Sequence, residues 1–97
     1  MRRDEALAVL TAHKDEFANF HVKSLALFGS VARDEAGPDS DVDVLVTFDE
    51  TPVGLFGIVA LQLRLEELFG RRVDVVEHDA VYPQIRERIL NEAVRAA

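Results

Sequence analysis

The stretch LFGSVARDEAGPDSDVDVLVTF, Leu27 to Phe48, sets a Gly-Ser pair and then two aspartates, Asp41 and Asp43, within segments that otherwise read as hydrophobic strand. Just upstream, Val22 to Phe28 closes on the apolar run Leu25-Ala26-Leu27-Phe28 and stops at Gly29, which suits a short buried strand. Ser30 to Glu35 can begin a short helix that Gly37-Pro38 breaks. A second strand is predicted from about Asp41 to Phe48. Its side chains alternate, so Val42, Val44, Val46 and Phe48 face one way while Asp41, Asp43, Leu45 and Thr47 face the other.

Working outward, Leu7, Leu10 and Phe17 recur at helical spacing between about Arg3 and Phe17, giving an amphipathic first helix. Val53 to Phe69 reads as a helix with little polar face. Leu55, Ile58, Leu61, Leu65 and Leu68 form one stripe, and Phe56, Val59 and Leu63 form a second. Gly70 can end this helix in a left-handed conformation. Arg72 to Glu77 is a third short strand, and Pro83 lies near the start of a last helix carrying Ile85, Ile89 and Ala93. The order α-β-(short α)-β-α-β-α predicts an α/β or α+β layer fold, with helices packed on a small mixed sheet of about three strands.

With 97 residues, 48% of them hydrophobic, the chain is expected to form one domain with one modest core, residues 1–97. Lys and Arg total 11 against 18 Asp and Glu, a net charge of −7, which leaves no broad basic surface for a phosphate backbone. Stable nucleic-acid binding is therefore not expected, whereas a single nucleotide with its metal ions is compatible. The absence of cysteine fits a reducing compartment. No uninterrupted apolar run reaches the ~18 residues of a membrane span, and acidic residues follow the N-terminal arginines directly. The expected location is cytoplasmic.

Aspartates at i and i+2 of one strand project from the same face, with Cα atoms roughly 6.5–7 Å apart. Alone they repel each other; with divalent cations between them the repulsion becomes attraction. Mg²⁺ takes hard carboxylate oxygens, usually one or two per ion, and completes its shell with water and phosphate. Two such ions can clamp the attacking and leaving oxygens of a phosphoryl displacement. Asp74 is the only charged residue within the apolar run of the third strand. Were that strand to lie beside Asp41 and Asp43, Asp74 could be a third ligand and accept the proton of an attacking hydroxyl. Gly29 and Ser30, with the helix start that follows, suit a triphosphate, and Arg33 could add positive charge.

Gly29-Ser30, ten residues, Asp41, one residue, Asp43 resembles the signature of the DNA polymerase β-like nucleotidyltransferases. The string GSVARDEAGPDSDVDVLV is similar to that of the minimal nucleotidyltransferases, with Asp34 where they commonly have Gly, and the later GRRVDVV is similar to their third-carboxylate strand. The resemblance implies Mg²⁺-dependent transfer of a nucleoside monophosphate, AMP from ATP, to a hydroxyl. It implies Asp41, Asp43 and Asp74 as catalytic residues and ligands of two metal ions, with Gly29, Ser30 and Arg33 on the triphosphate. It further implies an antitoxin that modifies a tyrosine of a HEPN-type ribonuclease toxin within a hetero-oligomer. Two alternatives stand beside this: a module that inhibits the toxin by stoichiometric binding, and a small-molecule nucleotidyltransferase, against which the lack of an acceptor domain counts. The Phe56, Val59 and Leu63 stripe either completes the core or meets the partner, and partner contact is the expectation. Glu35 is expected at the surface or in a local pair, Tyr82 is expected to pack, and His13, His21 and His78 have no metal-ligand spacing.

Overall fold

A computed structural model describes residues 1–96 of the chain. The helices are α1 (Arg3–Ala12), α2 (Lys14–Phe17), α3 (Gly29–Ala32), α4 (Leu55–Phe69) and α5 (Pro83–Glu92); the strands are β1 (Val22–Phe28), β2 (Val42–Phe48), β3 (Val73–Glu77) and β4 (Val94–Arg95). The strands form one mixed sheet in the order β3-β2-β1-β4. β1 runs antiparallel to both β2 and β4, whereas β2 and β3 are parallel. Parallel neighbours require a crossover, and α4 supplies it.

The alternation in β2 sorts its side chains as the sequence predicts. Val42, Val44 and Val46 are fully buried, in one cluster with Leu25 and Leu27 of β1 and Leu61 and Leu65 of α4. Leu10 of α1 and Phe17 of α2 close that core. Leu45 and Ile89 are buried as well but stand apart from the cluster. Ser24, Ala26, Leu45 and Thr47, on the opposite face, share a groove with Leu90 of α5 and with Ala93 just after it. The sheet thus has a packed face under α1 and α4, and a second face that α5 borders and only partly covers.

Several details differ from the sequence expectation. The sheet has four strands, because Val94 and Arg95 pair with Leu27 and Ala26; two residues are too short a run to show alternation. The first helix is interrupted at His13. In α4 the buried residues are Leu61, Leu65 and Phe69, while Leu55, in the first turn, is 74% exposed and does not join its stripe in the core. The second stripe stays in solvent, with Phe56 92% and Leu63 55% exposed and Val59 exposed as well. Tyr82 stands just before α5 and is also exposed, so it does not pack. Ala93 follows the last helix instead of belonging to it.

Candidate active site

Two backbone clasps set the register on which the site depends. The Val42 N–H donates to the Arg72 carbonyl at 3.0 Å, and the Val73 N–H donates to the Glu66 carboxylate of α4 at 3.1 Å. With both strand starts fixed, Asp43 pairs directly with Asp74 across the parallel ladder. Paired residues of adjacent strands lie about 4.8 Å apart and point to the same side, so these two carboxylates share the open face. Asp41 lies one residue before β2, two positions from Asp43, and is exposed, as is Asp74.

Asp43 is the half-buried member of the three. Burial, then the Asp74 and Asp41 carboxylates, push its carboxyl above the ordinary value, with Arg33 pulling the other way. The β1–α3 turn presses directly against it. Gly29 has φ +72°, and a Cβ there would lie 2.2 Å from Asp43 Oδ2. Only a residue without a side chain lets the turn come so close while holding a left-handed conformation. Gly29 and Asp43 are therefore neighbours in space as well as set at a fixed interval in sequence.

Among the described residues, no three His, Asp or Glu side chains converge tightly enough to cage one ion. The donors nevertheless fit Mg²⁺. They are hard oxygens, they crowd at Asp43 with no charge-paired partner for any of the three aspartates, and Mg²⁺ usually takes only one or two carboxylates per ion. Arg33 is near, but it is engaged: Nε donates to Glu35 at 3.0 Å, and Nη1 donates to both oxygens of Glu92 at 3.2 Å. Glu35 is thus in a local surface pair. His13, His21 and His78 lie beside Glu16, Asp49 and Asp79 respectively.

Glu92 is the site residue that sequence reading missed. It is the last residue of α5, and its Oε1 accepts the Gly29 N–H at 3.1 Å besides the Arg33 bonds. It also adds to the negative potential at Asp43. Nothing in the helical pattern of residues 83–92 marks it; only the fold brings it to a turn 63 positions earlier.

The model of the nucleotidyltransferase domain family matches residues 9–96. The protein adenylyltransferase MntA of Thermococcus cleftensis is 42% identical over 92 residues, which span 94% of this chain and 92% of its own. A solved structure provisionally named a minimal nucleotidyltransferase has a TM-score of 0.84 at 39% identity, over 97% of this chain and 95% of that one. A complex of a tri-AMPylated Shewanella oneidensis HEPN toxin with an MNT antitoxin matches at TM-score 0.62 and 13% identity, over 89% of this chain and 70% of that one; it shows a common fold.

Proposed function

The chain belongs to the nucleotidyltransferase domain family, and from that membership we propose that it transfers AMP from ATP to a tyrosine hydroxyl of a HEPN-type ribonuclease toxin and so silences the toxin. The observation that carries the reading is the direct pairing of Asp43 with Asp74 beside a turn whose glycine touches the Asp43 carboxylate. Support for the donor and acceptor comes from the relative named a protein adenylyltransferase and from the fold shared with an antitoxin bound to an AMPylated toxin.

In this reading Asp41, Asp43 and Asp74 hold two Mg²⁺ ions. Bound there, Mg²⁺ would supply positive charge against the phosphates and make the attacking hydroxyl more acidic. Asp74, the outer member of the pair, accepts the proton of the attacking tyrosine hydroxyl. The hydroxyl oxygen forms a bond to the α-phosphorus, the bond from that phosphorus to its bridging oxygen breaks, and the electron pair leaves with pyrophosphate. Gly29 and Ser30 hold the triphosphate through the backbone and the serine hydroxyl, and Arg33 contributes a cation to its tail. The acceptor arrives on the partner's own surface, and Phe56, Val59 and Leu63, exposed on α4, form the contact for it. No helix among the described residues is long and apolar enough to cross a membrane, and with an acidic balance we place the pair in the cytoplasm without stable nucleic-acid contact.

Incubating the purified toxin–antitoxin pair with labelled ATP and Mg²⁺ tests the reading. Label and an intact-mass gain of one or more AMP units should be found on the toxin and be lost in an Asp41→Asn, Asp43→Asn variant. No gain from any of the four NTPs would refute it. Full neutralisation of the toxin by that double variant at equal expression would instead favour inhibition by binding, for which the exposed α4 stripe is the supporting feature.

A further inference from the structure

Gly29 and Arg33, two of the three residues assigned above to the triphosphate, already carry an anion. The carboxylate of Glu92 takes the Gly29 N–H at 3.1 Å and two bonds from Arg33 Nη1 at 3.2 Å. A carboxylate is the other anion, besides phosphate, that a guanidinium fork binds well. The backbone of Gly29 has one hydrogen to give, and a phosphate oxygen and a carboxylate oxygen cannot both take it with good geometry. Two like-charged acceptors on one donor would also repel each other in a region where Asp43 already feels Asp74, Asp41 and Glu92 together.

We infer that Glu92 is an internal competitor for the nucleotide's phosphates, seated on Gly29 and Arg33 until a triphosphate displaces it, and that it sets the affinity for the nucleotide. The inference rests on Gly29 and Arg33 being triphosphate contacts. The structure also provides a second place for the carboxylate. Arg88 lies one turn earlier on α5, is exposed, has no ion pair among the described residues, and lines with Gly29 and Glu92 a cleft of about 290 Å³. Residues four apart on a helix are neighbours, so Glu92 can exchange Arg33 for Arg88 by side-chain rotation alone. Binding is then weakened by the fraction of molecules in which Glu92 is seated. Arg33 is oriented by Glu35 on one side and Glu92 on the other.

Titration of the 97-residue chain with Mg²⁺ and the non-hydrolysable analogue AMP-PNP, followed by calorimetry, tests this. Glu92→Gln, which keeps an acceptor but loses the charge, should bind at least about threefold more tightly than wild type, and Glu92→Ala at least as tightly as Glu92→Gln. A simple structural role predicts the reverse, since loosening the turn would weaken binding. In wild type, a labelled Glu92 side-chain carboxyl should shift on saturation as it leaves Gly29; this readout does not depend on any variant folding. Unchanged or weaker binding in both variants, or a Glu92 carboxyl signal unmoved at saturation, overturns the inference while leaving the nucleotide site intact. Failure of wild type to bind Mg²⁺ and AMP-PNP at all would remove the nucleotide reading and this inference with it.

Discussion

At Gly29 two constraints coincide: a φ of +72° and a gap of 2.2 Å between an added Cβ and Asp43 Oδ2. Alanine there must displace either the turn or the carboxylate, and a shift near 1 Å at a reacting centre can cost about a hundredfold in rate. Gly29→Ala should therefore lose at least that much in a single-turnover adenylylation assay, and near-normal turnover would show that Asp43 is not where the reaction needs it. Asp34 presents a milder case. Its φ is +60°, and its carboxylate accepts the Arg3 N–H at 3.0 Å. Aspartate tolerates the left-handed region better than a branched residue. Asp34→Val should destabilise the chain by about 1–2 kcal/mol. Asp34→Gly should stay within about 0.5 kcal/mol, because relief of strain is offset by the lost Arg3 bond and a more flexible unfolded chain. Urea denaturation of the two variants would check both. The motif residues were legible because their role is local: the interval from Gly29 to Asp43 encodes a turn and a strand alternation. Glu92 was not legible, since its contact with Gly29 exists only once α5 has docked.

Among the elements, α4 shows best where periodicity suffices and where it stops. Its 15 residues present two apolar stripes, and spacing alone leaves open whether the second, Phe56, Val59 and Leu63, completes the core or, as expected, stays at the surface for a partner. The structure buries the side carrying Leu61, Leu65 and Phe69 and leaves Phe56 and Leu63 in water. Phe56→Glu should leave the isolated chain unharmed or slightly more stable, by about 0.3–0.5 kcal/mol, since α4 has no acidic residue in its first turn and its N-terminus favours one. Leu63→Glu, at a position 55% exposed, should cost less than about 1 kcal/mol. Both should weaken capture of the partner proposed above, read by size-exclusion chromatography at equal concentrations. A large drop in melting temperature for either one would mean the stripe supports the fold. The helices and three longer strands could be read from spacing because each buries a face over several residues; β4, two residues long, follows only from its pairing with β1.

For the whole molecule, a net charge of −7 and the pairing of Asp43 with Asp74, to which Asp41 adds negative potential, mean that the fold carries an electrostatic cost it does not need for packing. Burial, Asp74 and Asp41 raise the Asp43 carboxyl above its ordinary value of 3.8. A carboxylate raised in the folded state binds its proton more tightly there than in the unfolded chain, so stability is highest below the ordinary value and falls as pH rises through the raised one. Because the ionised form is the one its surroundings disfavour, Asp43→Asn should melt higher than wild type in chelator at pH 7. The advantage should shrink as pH falls towards 4, where wild-type Asp43 takes up its own proton. Addition of Mg²⁺ should reverse the ranking: an ion that binds the native site stabilises wild type by mass action, and the variant, having lost a ligand, gains less. Thermal melts of the two proteins, with chelator and with millimolar Mg²⁺, at pH 7 and near pH 4, separate these effects. If Asp43→Asn melts lower than wild type in chelator at pH 7, the carboxylate contributes to the fold itself, and the view of it as a charge kept for metal and nucleotide fails.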